Sequence, residues 1–330
     1  MNVSVRRLPL ALFAIAVLSA GFDSQGQTTV ATNPVGYNTL TLPVGNSPRV
    51  NTFVQPTAFQ GIASAITSAS DSVITVSGTG AILSTGSFNE TASGPVYYLE
   101  VLSSDSTQGL IADVIANTST TVTVDANLAA LGVSGTATFC VRPHTTLSSL
   151  FPATSGFTAG VDEIELFFPN NTSQTYLFTG SGDAWVNAST AADAGSQIVY
   201  PGQGFIVIVQ TAKTVPIFGT VKPGQTQVPL YPGIINLVGT INPMVSGTQT
   251  LSNFGFPGSL AQGQDSVQPF YDNGQLQEMG SYQSTGTYMY STTSGSDSDT
   301  LTINPSNSVI VSVNQPKYWV MPSFFTSGTN

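Results

Sequence analysis

Few side chains in this sequence could do chemistry. Histidine occurs once, at position 144, and cysteine once, at position 140. A serine triad needs a base beside its nucleophile, and no Gly-x-Ser-x-Gly turn carries a serine here, so the α/β-hydrolase arrangement is excluded. One histidine and one cysteine cannot make a zinc or copper site at any ordinary ligand spacing. Cys140, within Thr-Phe-Cys-Val-Arg, reads as a small buried apolar residue. His144, after Arg142-Pro143, reads as a hydrogen-bonded structural histidine. A lone cysteine also leaves no disulfide framework within the chain.

Carboxylates are the remaining reactive groups. Calcium needs only oxygen ligands, which Asp297 and Asp299, or Asp162, Glu163 and Glu165, could supply; no EF-hand spacing is present, and no metal site is expected. Glycoside hydrolysis needs two carboxylates facing each other across a sugar. Glu90, Glu100, Asp113, Glu163 and Glu165 provide candidates, yet no spacing singles out a pair, and Glu163 and Glu165 share one face of a strand. The glycines around Ser181 join strands and open no helix, so they cradle no phosphate. Asp183 and Trp185 are left as the candidate ligand-binding pair. A ring face beside a carboxylate holds sugars in many β-sandwiches; the competing reading is a tryptophan that covers the end of a core. No catalytic residue and no cofactor is expected.

The elements that would position these residues are strands. Charged residues make up only 7% of the 330, while Thr, Ser, Gly, Asn and Pro separate short Val, Ile, Phe and Tyr runs. That is the profile of an all-β protein rich in turns. Seven Lys and Arg stand against 17 Asp and Glu, a net charge of -10. The bases at Arg49, Arg142, Lys213, Lys222 and Lys317 are scattered, so no basic patch could neutralise phosphates and nucleic acid is excluded as a partner. At the N-terminus Arg6 and Arg7 precede an apolar run from Leu8 to Ala20, the layout of an export signal, here taken as residues 1–26. No later stretch is apolar for long enough to cross a bilayer as a helix.

Two runs organise the mature chain. In Ile198 to Gln210, and again in Thr302 to Asn314, a Pro-containing turn feeds β-branched residues, which predicts a strand buried on both faces at the centre of a sheet. Around them the sequence repeats at an offset of 103 to 104 residues. Asp162-Glu163-Ile164 matches Asp265-Ser266-Val267, and Phe167-Phe168-Pro169-Asn170 matches Phe270-Tyr271-Asp272-Asn273. Leu42-Pro43 and Val50 to Pro56 find a counterpart in Val228-Pro229 and Ile235 to Pro243. Between them, residues 61 to 142 carry five short strands at Ser72 to Val76, Pro95 to Val101, Leu110 to Ala116, Thr120 to Val124 and Thr136 to Val141. Five such strands predict a small closed barrel. The fold expected is therefore a duplicated antiparallel β-sandwich with a small β-barrel inserted in the first repeat. Residues 27–60 and 143–222 form that repeat, 61–142 the barrel and 223–330 the second repeat. Gln55-Pro56 and Pro143-His144 should then lie together, as the ends of inserted domains do. Asp272-Asn273-Gly274 predicts a type I′ hairpin.

The segments TNPVGYNTLTLPVG, YYLEVLSSDSTQGLIADVIANTSTTVTVDANLAALGV, PHTTLSSLFP and IVYPGQGFIV together resemble a paralogous family of secreted, uncharacterised proteins from Verrucomicrobia. PGQGFIV and NLVGTINP also look like the GQGF-strand β-sandwich modules of bacterial surface proteins. The resemblance implies export and an all-β fold and brings no catalytic residues. The expected function is that of an exported, non-enzymatic β-protein with a structural or adhesive role in the envelope or extracellular matrix. Its expected partners are polysaccharide or further copies of itself, the latter through the apolar C-terminal strand KYWVMPSFF. Alternatives are a carbohydrate-binding protein using Asp183 and Trp185, and a polysaccharide-degrading hydrolase using a carboxylate pair.

Overall fold

A computed structural model describes residues 34–323, apart from 69–70, 79–82, 183, 242, 244–249, 271–281, 286–288, 293–301 and 305. Strand occupies 48% and helix 3%, so the protein is all-β. The chain opens with β1 (Val35–Leu42) and β2 (Gly45–Val50). Six strands follow: β3 (Phe59–Ser68), β4 (Ser72–Val76), β5 (Tyr97–Val101), β6 (Ile111–Asn117), β7 (Thr121–Val124) and β8 (Thr138–Pro143). Then come β9 (Thr145–Thr146), α1 (Leu147–Leu150), β10 (Glu163–Phe168), β11 (Thr172–Phe178), β12 (Trp185–Asn187), β13 (Ile198–Val199), β14 (Gly204–Val209) and β15 (Lys213–Thr220). The last third supplies β16 (Thr226–Leu230), β17 (Asn236–Val238), α2 (Phe256–Ser259), β18 (Ser266–Pro269), β19 (Tyr282–Ser284), β20 (Met289–Ser291), β21 (Val309–Ser312) and β22 (Lys317–Met321).

The duplication is legible in the pairing. A five-stranded antiparallel sheet runs β2-β14-β10-β11-β12, beside a two-stranded ribbon of β1 and β15. The second copy runs β17-β21-β18-β19-β20, beside a ribbon of β16 and β22. Each strand of the sheet and ribbon has a counterpart in the same place, and in both copies the ribbon joins the opening strand to the closing one. In the first copy Leu40, Leu42, Val215 and Ile217 of the ribbon share one apolar cluster with Ile164, Leu166, Phe205 and Val207 of the sheet. Alternate residues thus point between the layers, as period-2 strands require. Each core holds one tryptophan whose indole N–H is satisfied by a carbonyl. Trp185 Nε1 donates to Phe151 O at 2.9 Å and Trp319 Nε1 to Phe254 O at 2.7 Å. The two tryptophans come from different strands, β12 and β22, so only the solution recurs.

A second device recurs at the same place in both copies. Asp162, just before β10, pairs with Lys213 at the start of β15, and Asp265, just before β18, pairs with Lys317 at the start of β22. Both carboxylates are wholly buried. Burial pushes the Asp265 carboxyl up, but Lys317 and the backbone N–H groups of Ala261 and Asn314 outweigh it and hold it below the usual range. The pair closes each sandwich by tying the central sheet to the ribbon.

The six strands between the first copy's halves close in the order β3-β4-β7-β6-β5-β8. Leu99, Val101, Val114, Val122, Val124, Phe139 and Val141 fill the interior. The closing strand β3 was not among the five expected. Its sequence, FQGIASAITS, is rich in Ala, Ser and Gly and carries little strand propensity; pairing with both β4 and β8 imposes the strand, with a register shift between Ala63 and Ala65. The barrel's chain ends lie together: Arg142 Nη1 donates to Gln55 O at 3.0 Å and Ala58 N to Val141 O at 2.9 Å.

Two expectations need correction. β14 and β21 are inner strands, flanked on both sides, but only one face of each is fully buried. Phe205, Val207 and Val209 point into the core, while Ile206 and Ile208 are half-buried on the outer face. A single helical turn forms at Leu147–Leu150, with Thr146 and Ser149 capping each other, and Leu128 to Leu131 form a turn ending at Gly132. The apolar character of KYWVM serves the protein's own core, because Trp319 and Met321 are buried and β22 is paired with β16. The Asn273-Gly274 hairpin, and Asp297 with Asp299, fall outside the described residues.

Breaking a buried pair leaves an uncompensated charge, so Lys213→Met and Lys317→Met should each cost about 3 kcal/mol at neutral pH. For Lys317→Met the deficit should shrink as pH falls through the carboxyl range, because the parent then loses the pairing that holds Asp265 ionised. Denaturant unfolding at pH 7 and pH 4 measures both.

Candidate functional site

Buried charge fixes the barrel against the sandwiches. Glu100, on the outer face of β5, is only 1% exposed. Its Oε2 meets Arg142 Nε of β8 at 2.9 Å, and its Oε1 meets Lys222 Nζ of the linker after β15 at 2.6 Å. Lys222 also donates to Gln225 O. Cys140 Sγ lies 3.6 Å from Glu100, and burial, aided by that carboxylate, pushes its thiol up to about 12. Beside this cluster the β5–β6 hairpin grips the start of β16, where the linker ends: Gln227 Nε2 donates to Ser106 O and Gln108 O, and Gln227 N to Gly109 O. Gly109 has φ +84, and a Cβ there would stand 2.4 Å from Gln225 O. Only glycine permits that approach.

The two sandwiches meet along their edges. Val50 N donates to Ser306 O at 2.8 Å and Gly239 N to Gly202 O at 3.0 Å. Buried Arg49 crosses the joint from β2, giving its guanidinium to Asn307 Oδ1, Thr41 O and Pro48 O.

Where barrel and both sandwiches converge they leave an open cleft of about 570 Å³. Asp113 of β6 and Asp125 just past β7 come from the barrel; Phe168 and Tyr200 come from the first sandwich, and Tyr231, Ile235 and Tyr318 from the second. Tyr200 and Tyr231 each begin a Tyr-Pro-Gly turn whose glycine has positive φ, +78 at Gly202 and +73 at Gly233. Pro and Gly at successive positions favour a tight turn that leaves the tyrosine at its shoulder. The three tyrosines are 36–37% exposed, so each offers part of a ring face to solvent. The amides nearby are already engaged. Gln203 donates to Phe167 O, and Asn236 bonds the backbone of Tyr231 and Val311. The groups left to meet a ligand are tyrosine rings and carboxylates.

Asp113 is held from two sides. Tyr200 OH donates to its Oδ2 at 2.7 Å, and His144 Nε2 stands 3.1 Å from its Oδ1 without the alignment of a hydrogen bond. The His144 ring is wedged between Tyr98 and Tyr200, with centroids 5.1 and 5.2 Å away. Burial, reinforced by Asp113, raises the Tyr200 hydroxyl far above its ordinary value, so it remains a donor. Asp125 Oδ1 accepts from Asp113 N at 2.9 Å, and Asp125 N donates to Asp113 O at 3.0 Å. Burial, then the Asp113 charge, raises the Asp125 carboxyl. Among the described residues no Lys or Arg lines the cleft.

Of the two candidate ligand residues, Asp183 falls outside the described residues, and Trp185 is 1% exposed. Phe151, Phe157 and Phe178 surround its indole at centroid distances of 5.2–6.4 Å. The residue belongs to the core and presents no ring face to a sugar. Among the carboxylates weighed from sequence, Glu100 is locked in its ion cluster, Asp162 is paired with Lys213, and Glu163 and Glu165 lie on the outer face of β10. Asp113 alone reaches the cleft, joined there by Asp125. Among the described residues no three His, Cys, Asp or Glu side chains cluster as a metal site would require. Comparison with protein-family models, curated proteins and solved structures finds no match for this chain.

Two outcomes follow from this chemistry. A carboxyl held above its ordinary value favours the fold while it is protonated, and the benefit disappears as pH rises through its folded value. Asp125→Asn, whose amide oxygen can still accept from Asp113 N, should therefore stabilise the protein at pH 7 by roughly 0.5 kcal/mol, the scale of a partly screened charge pair, and by nothing at pH 3. Thermal melts of the two proteins at both pH values read this. Cys140 should not react with a thiol reagent at pH 8 in the native protein and should react at once in denaturant.

Proposed function

We propose that this is an exported, non-enzymatic β-protein of the envelope or extracellular matrix that holds polysaccharide in its three-walled cleft and serves an adhesive role. The observation that carries the reading is the cleft itself, a groove lined by three part-exposed tyrosines and two carboxylates. Ring faces take the apolar face of a sugar, while tyrosine hydroxyls and carboxylates take its hydroxyl groups. Export rests on Arg6, Arg7 and the apolar run from Leu8 to Ala20. Among the described residues no helix is long and apolar enough to cross a membrane.

Binding is favoured over hydrolysis by the placement of the carboxylates. Asp113 and Asp125 are backbone-bonded neighbours on one wall. A glycosidase needs its two carboxyl groups on opposite sides of the scissile bond.

A structural role through self-association is the second reading, and the outward face of the first ribbon favours it. Tyr37 and Phe218 are 68% and 64% exposed and stack at 6.0 Å, beside exposed Val35. Apolar side chains gathered on a sheet's outer face form a patch that a partner would cover.

Polysaccharide binding is tested by pull-down on insoluble glycans and by calorimetry with soluble oligosaccharides. Tyr231→Ala combined with Tyr318→Ala should weaken binding roughly 30-fold, ~1 kcal/mol per ring removed, while Trp185→Phe should leave affinity unchanged. Equal binding by the double variant and the parent would exclude the cleft.

A further inference from the structure

We propose that the cleft selects a saccharide bearing free amines, a deacetylated amino-sugar polymer, over neutral, N-acetylated or acidic chains. The inference rests on the polysaccharide reading above and adds the charge of the ligand to it. Its basis is where the protein has placed its few cations. All five basic side chains of the described residues are engaged away from the cleft. Arg142 and Lys222 meet at Glu100, Lys213 is on Asp162, Lys317 is on Asp265, and Arg49 is buried at the joint between the sandwiches. Among the described residues Asp113 and Asp125 thus face the cleft with no lysine or arginine beside them, and the one base close by is His144 behind Asp113. In a chain of net charge -10 that wall repels uronic or sulfated sugars and attracts a cation.

The rest of the wall says which cation. A divalent metal wants six or more oxygen ligands, and two carboxylates set among tyrosine rings do not provide them. An ammonium group is suited to this mixture, because it takes hydrogen bonds to carboxylate oxygens and is attracted to the faces of aromatic rings. Tyr200, Tyr231 and Tyr318 supply three such faces, and Asp125 keeps one oxygen, Oδ2, outside its bond to Asp113 N. Burial and the Asp113 charge already disfavour ionised Asp125, and a bound ammonium would relieve that cost. The open meeting of three units suits a chain of sugars, whose uncharged ring faces would lie on the tyrosines between amines.

Calorimetry on the full mature chain, at a pH where the amine is protonated, tests this with four hexasaccharides: glucosamine, N-acetylglucosamine, cellohexaose and an oligogalacturonate. Hexalysine serves as the amine without the sugar. The glucosamine oligomer should bind at least about tenfold more tightly than any other, and Asp125→Asn should reduce that ratio to below about threefold. Circular dichroism and the melting temperature establish that the variant is folded. Equal affinity for the glucosamine, N-acetylglucosamine and cello-oligomers would overturn the amine preference and leave the polysaccharide reading standing. Binding of none of the hexasaccharides would remove both. Tighter binding of the oligogalacturonate or of hexalysine would overturn the inference in favour of an anionic glycan or a basic peptide.

Discussion

The arrangement of this molecule depends on one buried carboxylate. Glu100 stands on the outside of the barrel, yet it is sealed from water and shared between Arg142 of a neighbouring barrel strand and Lys222 of the linker that joins the two sandwiches. Desolvating three charges is expensive, and the arrangement is tolerable only because each cation touches the anion directly and both find carbonyl oxygens as well. The linker cannot slide along the barrel without leaving a charge unpaired, which makes the joint specific rather than merely adhesive. Gly109, pressed against Gln225, removes the remaining slack. With the barrel fixed to the linker, and the sandwiches fixed to each other at Arg49 and Gly239, the space between the three is a formed cleft with a set width.

The same scarcity of charge governs the surface. In a chain with so few bases, committing every described lysine and arginine to an internal partner leaves the exterior acids without counter-ions of their own. Each sandwich takes one lysine to close the gap between sheet and ribbon, the barrel joint takes two cations, and the joint between sandwiches takes the fifth. The cleft's acidity is therefore a consequence of how the fold is held together, with Asp113 oriented by Tyr200 from across the domain boundary.

Much of the architecture was legible because strands of period two, Pro-Gly turns and a 103–104-residue offset leave direct marks in sequence. Asp162-Glu163-Ile164 matched Asp265-Ser266-Val267, and the aspartate in each proved to occupy one place in the fold, paired to a lysine 51 or 52 positions later. The barrel's closing strand was not legible, since Ala, Ser and Gly become strand there only through neighbours on both sides. Nor was the cleft. Trp185 drew attention for its chemistry, but an aromatic next to a turn looks the same in sequence whether its ring faces outward or is covered by three phenylalanines. Tyr200 and Tyr231 did leave a signal, the twice-used Tyr-Pro-Gly turn. Its meaning came only from the third dimension, which brought Tyr200 to Asp113, 87 residues away in the barrel, and set Tyr231 in the same cleft.

The central claim is that barrel and both sandwiches form one site together. Amide hydrogen exchange with and without a saturating glucosamine oligomer tests it most directly. The account predicts added protection in three stretches at once, residues 111–125 of the barrel, 197–203 of the first sandwich and 228–238 of the second. Protection confined to one of the three, or centred on the strand that carries Trp185, would contradict it.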